Sequence, residues 1–302
     1  MIRLGLIGAA DPRHGWFLGP LRRRRAGVRI IGLSDPDQTV RDEFGGQYDL
    51  PTWADHDGLL DARPSLVAVT LPDPGAAVMV ALQADADVLV VPPLCRTVAE
   101  LDAIAALVRS SGHRVTAVHT FRGHPAATTA KELVESGRLG RPDLVSLIIG
   151  PDCTGDELAL VVSEAVDLFG WLTGATVWTP GAIVDDPEEA AAFGQLILTI
   201  DGVGDGDLPA TLEVRRSELA TGARIMQVAG DGGAVEWDVR TGLLRASVDG
   251  KGPTTVACGP FARPDEWVLN NLLRKPQPAI STAESLAVAR TMLAIDRAEQ
   301  RR

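Results

Sequence analysis

The sequence predicts an α/β N-terminal domain, a Rossmann-like doubly wound parallel sheet, followed by an α+β domain with a large, mostly antiparallel sheet. Three observations carry this. Apolar runs and helical patterns alternate through roughly the first 120 residues. From residue 143 short alternating segments recur between glycine-rich turns. The 302 residues also exceed what one core usually serves.

The first strands are expected at 3–9, 28–35, 65–73, 87–93 and 113–120. They are nearly all apolar, as strands buried on both faces are. Helical patterns fill the intervals at 15–25, 37–45, 74–84 and 98–110. The last opens on Thr97-x-x-Glu100, a capping box, followed by Leu101, Ile104 and Leu107 at helical spacing. Beyond residue 143 a helix is expected over 156–173, with strands at 143–149, 175–183, 194–201, 208–216, 223–229, 233–239, 242–248 and 253–258. Turns such as "DGVGDGD" (201–207) make this read as an antiparallel meander. The tail, 281–302, is a helix with a second capping box, Ser281-x-x-Glu284. The domains are thus 1–122, joined by 281–302, and 123–280.

The chain is 45% hydrophobic and 23% charged, with a formal net charge of −11. That balance argues against a nucleic-acid partner, which calls for a basic face. The basic run Arg22 to Arg25 is read as a helix terminus complementing the helix dipole. Cys95, Cys153 and Cys258 are far apart and odd in number, without metal spacing. Free thiols fit a reducing cytoplasm. The apolar N-terminus is too short for a secretory signal, and no stretch is long enough to span a membrane.

The first turn reads Gly8-Ala9-Ala10-Asp11-Pro12-Arg13 against the phosphate-binding pattern G-x-G-x-x-G. Gly8 holds the tight turn. Ala10 stands where a second glycine lets backbone approach a pyrophosphate, and Arg13 replaces the third. Asp35 ends the second strand, where a carboxylate accepts from ribose hydroxyls and repels a 2′-phosphate. NAD is therefore favoured over NADP, and two readings stand: cofactor binding, or descent from a cofactor binder that has lost it.

With these motifs in order, the chain resembles the Gfo/Idh/MocA family of NAD(P)-dependent oxidoreductases, which act mainly on sugars, inositols and polyols. "LGLIGAA", "IIGLSDPD", "ALQADADVLVVPPLCRT", "TFRGHPAATTAKELVESGRLGRP" and "EAVDLFGWLTG" are similar to successive family segments. The resemblance places Gly8, Ala10, Asp35, Leu71, Pro72 and Pro93 at the cofactor, with Pro93 and Arg122 toward substrate. It also implies a homodimer or tetramer through the second sheet, or pairing with a homologous partner.

The departures bear on mechanism. In the family's E-K-P motif the lysine sits by nicotinamide and substrate; here Val91 and Pro92 replace the glutamate and lysine, and Pro93 survives. In the H-x-x-D motif Glu164 replaces the histidine and Asp167 is kept. Glu164 and Asp167 share a helix face, so one can raise the pKa of the other. His119 and His124 are further proton carriers, and Arg122 is a clamp for an anion. Lys131 is expected to face solvent. Three functions follow: an oxidoreductase with a non-standard acid/base, a catalytically silent ligand-binding or partner subunit, or a lyase or cyclase reusing the fold. The prior for a cis bond at Pro92-Pro93 is about 5%.

Overall fold

The computed structural model describes residues 1–18, 27–175, 177–180, 195–203, 209–217, 222, 224–258, 264–273 and 279–299. The chain forms two compact units, Met1–His119 with Arg263–Leu293, and Thr120–Ala262 with Ala294–Arg302.

The first unit holds a parallel sheet of β1 (Ile2–Ile7), β2 (Val28–Ser34), β3 (Thr52–Trp53), β4 (Leu66–Val69), β5 (Asp87–Val90) and β6 (Val115–Ala117). Their order is β3-β2-β1-β4-β5-β6, so the direction of winding reverses between β1 and β4. Side chains alternate between faces along each strand. Leu4, Leu6, Ala68, Leu89 and Val91 join one buried cluster; Ile7, Val67, Val69, Val88 and Val90 join the other. Helices α1 (Gln38–Tyr48), α2 (His56–Asp61), α3 (Gly75–Gln83) and α4 (Val98–Ser111) connect the strands.

Two expectations change here. The sequence pattern puts residues 263–280 with the second domain, but Trp267, Val268, Leu269, Leu272 and Ile280 complete the first unit's core. Their apolar side chains cover one face of the parallel sheet. Of the helix expected over 15–25, residues 15–17 form part of a 3₁₀ turn, Pro12–Phe17, capped by Asp11, and residues 19–25 lie outside the described residues. The Arg22–Arg25 run lies outside the described residues.

The second unit opens with α5 (Pro125–Glu135), β7 (Pro142–Ile149) and α6 (Gly155–Thr173). Its sheet continues through β8 (Val177–Pro180), β9 (Gln195–Val203), β10 (Pro209–Arg216), β11 (Arg224–Gly230), β12 (Gly233–Asp238), β13 (Leu243–Val248) and β14 (Thr254–Ala257). The order is β14-β13-β12-β11-β7-β10-β9-β8. β7 sits centrally, antiparallel to β11 and parallel to β10, so the sheet is not a simple meander. The turn expected over 201–207 lies largely outside the described residues. The chain closes with α7 (Pro264–Val268) and α8 (Thr282–Glu299), α8 opening on the expected Ser281–Glu284 box.

Candidate cofactor loop and buried carboxylate site

The predicted residues gather in two clusters, one in each unit. In the first, Gly8 adopts φ +84°, and a Cβ there would lie 2.8 Å from Leu71 Cδ2, so glycine is required at this turn. The Gly8 N–H donates to the Ser34 carbonyl at 2.9 Å, and the Thr70 hydroxyl donates to the Gly8 carbonyl at 2.6 Å. Asp35 is 3% exposed. Its Oδ2 accepts from the Ala9 N–H and its Oδ1 from the Asp37 N–H, both at 2.9 Å. Ala10 is exposed, and Leu71 and Pro72 follow β4. The Pro72 carbonyl accepts from Arg96 Nε at 2.8 Å. Pro93 follows β5 through a cis Pro92-Pro93 bond. Val91 and Pro92 are both buried. His119 is also buried, just beyond β6.

The second cluster surrounds Glu164 and Asp167 on α6. Glu164 Oε1 accepts from the Thr120 N–H at 2.8 Å and the Thr120 hydroxyl at 3.0 Å; Oε2 accepts from the Phe121 N–H at 2.9 Å. Burial pushes the Glu164 carboxyl up, and the charge of Asp167 adds to the rise, against the lowering by the Thr120 and Phe121 bonds. The result is about 7. Asp167 and Arg122 form a bidentate ion pair, with Nε and Nη2 each 2.7 Å from a carboxylate oxygen. Their side chains are 0% and 4% exposed, so this pair is a buried one. The Arg122 guanidinium is thereby engaged within the protein.

His124 caps α5, its Nδ1 accepting from the Ala126 N–H at 3.0 Å. Burial holds its pKa below the ordinary value, which favours a neutral ring. Lys131, expected in solvent, instead donates to the Trp171 carbonyl at 2.7 Å and lies 5.6 Å from that ring's centroid. Arg122 lies 5.7 Å from the same centroid. The Trp171 ring attracts both cations, a contact helical spacing alone does not reveal. Thr120 and Phe121 were also missed as functional candidates. They lie 44 and 43 residues from Glu164 in sequence, and only tertiary folding joins them.

The reversal of strand order beside a glycine turn defines a Rossmann-type domain of the dinucleotide-binding class. Residues 2–119 match the family described as "Oxidoreductase family, NAD-binding Rossmann fold". This match to the Gfo/Idh/MocA family model lies within the N-terminal unit and marks that part of the chain as similar to an NAD-binding Rossmann fold. Among solved structures, it is similar to an oxidoreductase from Agrobacterium radiobacter in complex with NAD+, L-tartaric acid and magnesium (16% identity, covering 100% of this chain and 97% of that chain, TM-score 0.77). It is also similar to UDP-N-acetylglucosamine 3-dehydrogenase from Acidithiobacillus ferrooxidans (18% identity, 98% and 97%, TM-score 0.74). A third is aldose-aldose oxidoreductase from Caulobacter crescentus, complexed with glycerol (18% identity, 99% and 98%, TM-score 0.72). Comparison with curated proteins gave no match.

The loop fits one end of the family's dinucleotide and not the other. Each Asp35 oxygen gives one lone pair to a backbone N–H and has a second that would accept from a ribose hydroxyl. At the phosphate end, Pro12 has no N–H, and the Arg13 N–H is directed to the Asp11 carboxylate. An anion of the chain itself thus takes that N–H. Among the described residues, no group of three or more His, Cys, Asp and Glu is placed to hold a metal, and no helix is long and apolar enough to cross a membrane.

Proposed function

We propose that the chain is an oxidoreductase acting on a sugar, polyol or related hydroxylated metabolite, with Glu164 as its proton-handling group. One observation carries this: a buried carboxyl poised near neutral pH, on the helix position where the resemblance places the family's histidine. Three donors hold Glu164 and leave one lone pair on Oε2, where a proton is taken up or released. Arg122 pairs with Asp167 and orients it, and the Asp167 charge adds to the burial that helps Glu164 retain its proton. In this arrangement Arg122 is a positioning residue, and His124 a neutral cap. The sugar dehydrogenase and aldose oxidoreductase among the similar folds support the substrate class. Assembly through the second unit's sheet, as homodimer, tetramer or with a homologous partner, belongs to the same proposal.

The test is turnover across a panel of sugars and polyols with NAD, comparing the natural protein with Glu164→Gln. We expect kcat to fall by about 100-fold or more, with cofactor affinity unchanged. An unaltered kcat removes Glu164 from the mechanism. A second reading, a family member without the reaction, is favoured by Val91, which is 2% exposed and packed into the core where the family pattern has a glutamate. Ligand binding without turnover anywhere on the panel selects that reading.

A further inference from the structure

The first turn of the N-terminal unit closes on its own carboxylate. Asp11 is extended, at φ −79° and ψ 124°, and caps the 3₁₀ turn. Its Oδ1 accepts from the Arg13 N–H at 2.8 Å. Arg13 Nε lies 2.9 Å from both carboxylate oxygens, and Nη2 is bonded to Oδ2. The Asp11 carbonyl accepts from the His14 N–H at 3.0 Å, and His14 Nδ1 lies 2.7 Å from the same oxygen. Across the loop, Asp35 takes the Ala9 N–H. The chain's own oxygens thus engage the N–H groups of residues 9, 13 and 14, and residue 12 has none to offer.

A bound diphosphate relies on backbone N–H groups at this turn and on the absence of a competing negative charge. Burial raises the Asp11 carboxyl, but the side-chain and backbone bonds from Arg13 outweigh it, and the charges of Arg13 and His14 add to the lowering. Asp11 is therefore ionised at neutral pH. The guanidinium that would greet a phosphate is already paired.

We infer that Asp11 is an internal stand-in for the pyrophosphate, so that this loop discriminates against diphosphate-bearing ligands while Asp35 still accepts a ribose. A dinucleotide must displace Asp11 from Arg13 and then sit beside it. A nucleoside without phosphate meets no such obstacle. The inference concerns affinity at the first turn and stands apart from the role given to Glu164.

The experiment is calorimetry on the full chain with adenosine, ADP-ribose and NAD, comparing the natural protein with Asp11→Asn. Asparagine keeps the capping acceptor and removes the charge. We expect ADP-ribose and NAD to bind about tenfold more tightly to the variant, with adenosine unchanged within about twofold. Three outcomes overturn the inference: unchanged ADP-ribose affinity, an equal gain for adenosine, or no binding of any of the three to either protein. Should Asp11→Asn fail to fold, Asp11→Ser, another neutral cap, makes the same comparison. Tighter dinucleotide binding without turnover sustains this inference and removes the catalytic one; unchanged binding with Glu164-dependent turnover does the reverse.

Discussion

A carboxyl held near 7 makes the fold's stability depend on pH in a direction opposite to that of most acids. Glu164 has an ordinary value of 4.5 and is raised to about 7 in the folded chain. As pH rises from 4.5, the unfolded chain releases this proton while the folded chain keeps it until about 7. The contribution is complete below 4.5 and is lost across that window, amounting to a few kcal/mol. Thermal midpoints measured at pH 5 and 7.5 should fall toward the higher pH in the natural protein, and Glu164→Gln should flatten this component. The neighbouring ion pair makes a separate prediction. Asp167→Ala leaves the Arg122 charge buried and should cost about 3–5 kcal/mol in denaturant unfolding. The double change Arg122→Met with Asp167→Leu should recover most of that loss. Helical spacing puts Glu164 and Asp167 on one face, but their partners were not legible. Arg122 lies 45 residues from Asp167, and no local pattern encodes that pairing.

At the scale of elements, local signals were read well wherever the chemistry itself is local. Thr97 and Glu100 form a complete capping box, with Glu100 N–H donating to the Thr97 hydroxyl at 3.2 Å and Glu100 Oε2 accepting from the Thr97 N–H at 3.0 Å. Thr97→Ala should therefore lower stability by about 0.5–2 kcal/mol, read as a shift in denaturant midpoint at constant slope. The apolar strands were equally legible, because each is buried on both faces. Short elements were not: β3 and α2 are smaller than the window over which periodicity can be judged. The turn at 12–17 shows a different failure. Asp11 and Pro12 start it early as a cap and first helical residue, whereas apolar spacing alone points to a later start.

At the scale of the whole molecule, the division into two kinds of sheet was visible in the change from strand–helix alternation to short strands. The discontinuity of the first unit was only half visible. The C-terminal helix was assigned to it, but the stretch before it was not, because 264–273 carries no strong periodic signal. β6 depends on this returning chain: the Val115 N–H donates to the Thr282 hydroxyl at 3.2 Å, and the Ala117 N–H to Ser285 Oγ at 3.0 Å. A protein truncated after residue 262 should lose the cooperative unfolding of its first unit, as followed by circular dichroism in denaturant. Retention of that transition would show the first segment to be self-sufficient.

The same stitching sets an order of events during synthesis. Domains usually complete themselves from the N-terminus as the chain emerges. Here the first unit must wait for Ile280 to enter its core and for Ser285 to reach β6. Residues 120–262, the main body of the second unit, leave the ribosome before either arrives. The domain that begins the chain is therefore completed only after the main body of the second unit has emerged, and until then β6 lacks the Thr282 and Ser285 oxygens that take its N–H groups.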